Sequence, residues 1–167
     1  MFRHFFWILC VLYPLQAVYA EFRFSTPYTV ITEPPVGGAA SPCLRDDELE
    51  MFFESSGDIY RAVRTFPDVP FLTSQRVNEL STSQFVEERP FLSVDALRIY
   101  FTRRTGSSKV REIYMATRAS TASPFGTPVS AGPQSTAAFE GSLGSLTGDE
   151  KKVFLEVIRK IPPGSGT

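Results

Sequence analysis

Asp47, Asp95 and Asp149 are the residues whose spacing most invites a chemical reading. Carboxylates held at a fixed separation serve as general acid and base in hydrolases, and Asp46 stands beside the first of them. The competing role is local, because an aspartate can bind the backbone two residues on and close a turn. All three occupy one recurring sequence position, which favours the turn role. Calcium ligation by Asp46, Asp47, Glu48 and Asp58 lacks the D-x-D-x-D-G spacing of a calcium loop. Serine chemistry lacks a G-x-S-x-G elbow, and the one histidine, His4, lies in the N-terminal leader. Gly37-Gly38 and Gly164-Ser165-Gly166 have no phosphate-binding lysine after them. No catalytic set, metal site or cofactor is implied.

The cations offer a second kind of chemistry. Arg64 and Arg118 end two related segments, Asp58-Ile-Tyr-Arg-Ala-Val-Arg64 and Glu112-Ile-Tyr-Met-Ala-Thr-Arg118. They suit an anionic ligand or partner, or else pair locally with a carboxylate. Arg103, Arg104, Lys109 and Arg111 make the stretch Arg103–Arg111 basic. This stretch reads either as a recognition loop or as a solvated one.

The elements that must position these residues come from internal repetition. Residues 41–54 (SPCLRDDELEMFFE) align with residues 89–102 (RPFLSVDALRIYFT) at an offset of 48. From Asp58 onward the offset is 54, through Glu112-Ile-Tyr, Pro124-Phe125 and Ser135-Thr136 to Asp149 and Phe154. The difference is an insertion within Arg103–Arg111. Leu49, Met51 and Phe53 alternate with Glu50, Phe52 and Glu54, as Leu97, Ile99 and Phe101 do with Arg98, Tyr100 and Thr102. Period-2 alternation predicts strands, and aromatics on the second face predict that it too is partly covered. Pro, Gly, Ser and Thr punctuate the intervals as turns. The units are a partial one over 21–40, full ones over 41–88 and 89–141, and a truncated one over 142–167.

Composition sets the surroundings. The chain has 167 residues, a formal net charge of −1 and 43% hydrophobic residues, so no basic field suggests nucleic-acid binding. Met1–Ala20 reads as a secretory signal: Arg3 precedes the apolar run Phe5–Tyr13, Pro14 ends it, and Val18-Tyr19-Ala20 suits cleavage. The run is shorter than the roughly 20 residues of a membrane span. An exported, periplasmic or extracellular chain over 21–167 is expected, with no membrane span after cleavage. Cys43 is then the one remaining thiol, either a small buried residue or half of an intermolecular disulfide.

The combination P-x-L-S-x-D-x-L-x-[I/V]-Y-F, [D/E]-I-Y-x-A-T-R and P-F-G-x-P, carried by Pro90–Phe101, Glu112–Arg118 and Pro124–Pro128, resembles the TolB-type (WD-like) β-propeller repeats of exported bacterial proteins. The resemblance implies an all-β chain of β-propeller-type repeats, incomplete at about three blades of four short strands, where closed propellers have about 4–8 blades. The family's Asp-Gly turn is replaced by Asp47-Glu48, Asp95-Ala96 and Asp149-Glu150, which removes glycine's freedom at positive φ. A helix over 148–160 competes with the strand reading there. Val153, Phe154, Val157, Ile158 and Ile161 have helical spacing, and Thr147-Gly-Asp-Glu150 has capping-box form.

Three blades leave sheet edges open. Two copies in a ring, an open arc with a partner, or a truncated gene product would each answer that. The expected function is a non-catalytic interaction module, binding a protein or ligand or associating with itself through strand edges. The alternatives are a degenerate carbohydrate-active or hydrolase-like propeller using Asp47, Asp95 or Asp149, and a remnant without independent function.

Overall fold

Alternation along Glu50–Ser55 divides the apolar side chains between two faces of a strand. Met51 and Phe53 enter one buried cluster with Ala62 and Phe71, while Phe52 enters another with Ile59, Leu80, Ile99 and Phe101. A strand covered on both faces carries aromatics on both. Each fully buried phenylalanine contributes about 1.5–3 kcal/mol, and Phe52, Phe53, Phe71 and Phe101 are all fully buried.

The computed structural model describes residues 30–32, 35, 37–105, 111–133 and 139–159; the expected signal Met1–Ala20 and Lys109 lie outside them. The fold is all-β. A first sheet joins β1 (Ala40–Leu44), β2 (Glu50–Ser55), β3 (Asp58–Val63) and β4 (Ser74–Arg76) in sequence order. A second joins β5 (Phe85–Leu92), β6 (Arg98–Thr105), β7 (Arg111–Thr117) and β8 (Val129–Pro133) in the same way. β9 (Phe139–Leu146) and β10 (Val153–Arg159) form an antiparallel pair. β5 packs against β1, β2 and β3, and β9 against β5, β6 and β7. The described residues do not close a ring.

The repeat extends to strand register. Ala40 faces Glu54 and Cys43 faces Phe52 across a bulge; Glu88 faces Thr102 and Phe91 faces Tyr100 across its equivalent. In the third hairpin Ser142 faces Glu156 and Ser145 faces Phe154. Links between sheets recur as well. The backbone N–H of Arg89 donates to Glu54 Oε2 at 2.7 Å, and that of Leu143 to Thr102 Oγ1 at 3.0 Å.

The first turn of each unit has one construction. Glu48, Ala96 and Glu150 donate their N–H to the carbonyls of Arg45, Ser93 and Thr147, each at 2.8 Å. Asp47, Asp95 and Asp149 accept at Oδ1 from the N–H of Leu49, Leu97 and Lys151. The residue after each aspartate takes positive φ: 62° at Glu48, 56° at Ala96 and 57° at Glu150. These turns therefore hold a left-handed L-residue at the position glycine would occupy most easily.

The helical reading of 148–160 is corrected. Residues Val153–Arg159 form β10 and pair along their whole length with β9. Thr147 and Asp149 look like a helix cap because they are the same turn as Ser93 and Asp95. Thr147 Oγ1 donates to Asp149 Oδ1 at 2.6 Å, as Ser93 Oγ does to Asp95 Oδ1 at 2.5 Å. A neighbouring strand supplies the ladder that isolated helical spacing cannot anticipate.

The expected insertion loop Arg103–Arg111 is also revised. β6 continues through Thr105 and β7 begins at Arg111, so Arg103, Arg104 and Arg111 lie on paired strands, and residues 106–110 lie outside the described residues. In the first sheet β2 and β3 are joined by a two-residue turn at Ser56-Gly57, both at positive φ (52° and 86°). A Cβ on Gly57 would come within 3.2 Å of the Val86 side chain, which would have to shift, and would sit on a backbone at φ 86° that favours glycine.

Candidate functional site: an arginine-lined cleft beside Glu50

β2 begins with a carboxylate placed between two sheets. Glu50 is 1% exposed. Arg118, just past the end of β7, grips it with both ends of its fork: Nη1 to Oε1 at 3.0 Å and Nη2 to Oε2 at 2.7 Å. Arg61 on β3 donates Nε to Oε1 at 2.5 Å, and Arg45 donates Nη1 to Oε2 at 3.1 Å. Burial alone would push this carboxyl up. The hydrogen bonds and charges of Arg118 and Arg61 outweigh it and hold Glu50 below the usual glutamate range. Glu50 therefore stays a carboxylate and is a poor proton donor near neutral pH.

Arg118 and Arg64 sit in matching cradles. Arg64 donates Nε to the Glu48 carbonyl at 2.6 Å and stacks on Phe71 at 4.7 Å. Arg118 donates Nε to the Ala96 carbonyl at 2.8 Å and stacks on Phe125 at 4.6 Å. Both guanidiniums are thereby fixed by the positive-φ turn of their own unit and by an aromatic seven residues on. They differ in the acid they meet. Arg118 reaches Glu50 in the other sheet, whereas Arg64 meets the exposed Glu48 carboxylate at 3.3 Å.

A cleft of about 380 Å³ opens beside this junction, lined among others by Arg61, Gln75, Arg76, Asn78, Ser123 and Phe125. The Arg61 side chain is 42% exposed. Among the described residues its Nη1 and Nη2 have no hydrogen-bond partner; only Nε is used. Arg76 is occupied, with Nη2 on Asp58 Oδ1 at 2.8 Å and Nη1 on Asn78 Oδ1 at 2.9 Å. The Asp58 bond keeps the Arg76 guanidinium above its ordinary pKa.

Register identifies the counterpart of each lining residue in the second sheet. Arg61 faces Phe52 and Gln75; Met115 faces Tyr100 and Val129. Arg76 faces Tyr60, where Ser130 faces Tyr114. Arg61, Gln75 and Arg76 thus stand where the second sheet has Met115, Val129 and Ser130. Glu50 stands where it has Arg98. The charged set breaks the repeat at several places around one cleft.

The other predicted cations lie elsewhere. Arg103 is enclosed rather than presented to a partner. It donates Nε to the buried Glu87 at 2.9 Å and Nη2 to the Leu80 carbonyl at 3.1 Å, and lies over Tyr114 at 4.3 Å. Burial pushes the Glu87 carboxyl up more than Thr82 and Arg103 draw it down. Arg104 and Arg111 both face Glu88, at 2.7 and 3.7 Å. These residues lie on strands, where charges on neighbouring strands pair.

Asp47, Asp95 and Asp149 are exposed turn residues. Hydrogen bonds from Arg45, Ser93 and Thr147 respectively, and from the backbone, hold all three below the usual aspartate range. Asp58 is tied to Arg76 and does not converge with Asp46, Asp47 and Glu48; among the described residues no three potential metal ligands gather. Cys43 accepts at Sγ from the Leu92 N–H at 3.1 Å across the junction of β1 and β5, and burial pushes its thiol pKa up. Sequence reasoning missed Glu50, Arg61, Gln75 and Arg76. The available signal was substitution of charge within an otherwise matching repeat, as in Glu50 against Arg98. No family model, curated protein or solved structure matches the chain.

Proposed function

We propose that this chain is an exported, non-catalytic module of β-propeller type, similar to TolB-type repeats, that binds a ligand or a protein partner. One contrast carries the reading. The carboxylates that recur are committed to turns, while one cleft beside the junction of two sheets gathers Arg61, Gln75 and Arg76 where the second sheet has Met115, Val129 and Ser130. A fold built from equivalent units keeps its framework in what repeats and its specificity in what does not. Exposed carboxylates held below their ordinary range are unsuited to the general-acid half of a hydrolase pair, which disfavours the catalytic alternative.

The test is Asp47→Ala, Asp95→Ala and Asp149→Ala, each followed by thermal unfolding. A framework role predicts a fall in Tm for all three variants, comparable in size. One aspartate whose replacement leaves Tm unchanged or raises it would mark a carboxylate held at a cost to stability, as acid/base groups are, and would favour the hydrolase-like alternative.

A further inference from the structure

Resting on the reading of the chain as a binding module, we propose that the cleft beside Glu50 binds a carboxylate presented by an extended acidic peptide. Arg61 supplies the recognition group. Its Nε is fixed by Glu50, which orients the guanidinium plane and leaves the two Nη groups as a pair of parallel donors. Such a fork matches a carboxylate through two hydrogen bonds. A second acid at this place would complement the charge. Arg61 and Arg118 share the one Glu50, while Arg45, also on Glu50, is paired with Asp47 at 2.7 Å. Among the described residues the cleft wall carries Arg61, Arg76 and Arg118 against the single carboxylate of Glu79.

Two features select a peptide over a free small acid. At about 380 Å³ the cleft exceeds what a carboxylate alone fills and lies in the range of ligand pockets. Its wall includes Gln75 and Arg76 of β4, the terminal strand of its sheet. A terminal strand offers main-chain groups to an extended chain laid alongside. Gln75, Asn78 and Ser123 add side-chain groups able to bind peptide amides. The second sheet lacks this chemistry, since Met115 and Val129 replace Arg61 and Gln75.

The experiment is calorimetric titration of the purified chain at low ionic strength with three probes: acetyl-Gly-Glu-Gly-amide, acetyl-Gly-Gln-Gly-amide and inorganic phosphate. The glutamate peptide is expected to bind at least tenfold more tightly than either of the others. Arg61→Met, which installs the residue of the second sheet, should weaken it about tenfold. Gln75→Val leaves the Glu50 cluster intact and should weaken it about threefold, so the proposal stays testable if Arg61→Met fails to fold. Equal binding of the two peptides, phosphate binding as tight as the glutamate peptide, or unchanged affinity in Gln75→Val overturns the proposal. A chain that is folded by amide dispersion and binds no probe also overturns it. The module reading stands or falls separately on the aspartate series.

Discussion

The two junctions between successive sheets place opposite charges at one repeat position, Glu50 in the first sheet and Arg98 in the second. At the first, the sheet of β1–β4 offers Glu50 to Arg118 of the next. At the second, the sheet of β5–β8 offers Arg98 to Glu150, with Nε and Nη2 at 2.7 and 2.6 Å, and Tyr100 donates its hydroxyl to the same carboxylate. Burial and Glu150 push the Tyr100 pKa up to about 12, while Arg98 holds Glu150 below the usual range. The burial of the two pairs differs sharply. The side chains of Arg118 and Glu50 are 2% and 1% exposed, against 37% and 16% for Arg98 and Glu150. The same repeat position can therefore hold either charge, provided the neighbouring sheet supplies the other. Burial decides how much stability depends on the match.

That comparison is sharpest for Glu50→Ala. It would leave Arg118 buried without its carboxylate and should cost about 3–5 kcal/mol. Arg98→Ala, at the open junction, should cost about 1 kcal/mol or less. Urea unfolding of the two variants measures the contrast, and similar losses would erase the distinction between the junctions.

The acid limb of stability is the next largest effect. Glu50 has a lowered pKa in the folded chain, so its contribution is present above the ordinary glutamate value of 4.5 and is lost as pH falls below it. Stability should fall in that window, and Glu50→Gln should flatten the fall when both chains are unfolded at a series of pH values. Glu87 acts in the opposite sense, because burial raises its pKa and its contribution is lost as pH rises.

The smallest effect concerns the turn that recurs in each unit. Glu48 holds φ 62° on an exposed turn, and a left-handed L-residue costs about 1–2 kcal/mol. Glycine removes that cost but loses more chain entropy on folding. Glu48→Gly should therefore gain about 0.5–1 kcal/mol, read as a higher urea midpoint with an unchanged slope. A lower midpoint would show that the turn is stabilised by the Glu48 side chain.

Much of the architecture was legible in the chain. The offsets of 48 and 54 anticipated the strand alternation of β2 and β6, the equivalent aspartate turns and the pairing of Arg64 with Arg118 as structural equivalents. Residues 148–160 were ambiguous because Val153, Phe154 and Val157 fit a helix as well as a strand when read alone. The partner strand β9 resolves them. Arg103 was open to misreading for a related reason: charge is visible in sequence, whereas enclosure by Glu87, Leu80 and Tyr114 is not.

The sequence by itself determined the repeating unit, its alternation and its turn chemistry, because these depend on residues close together in the chain. Only the tertiary structure decided which arginine is enclosed, which carboxylate it meets and which guanidinium remains open. Glu50 and Arg118 are separated by 68 positions, and their contact exists only because two sheets pack face to face. Local propensity cannot report that contact. The Arg61 fork likewise becomes a recognition group only when Glu50 fixes one side of it and a cleft exposes the other.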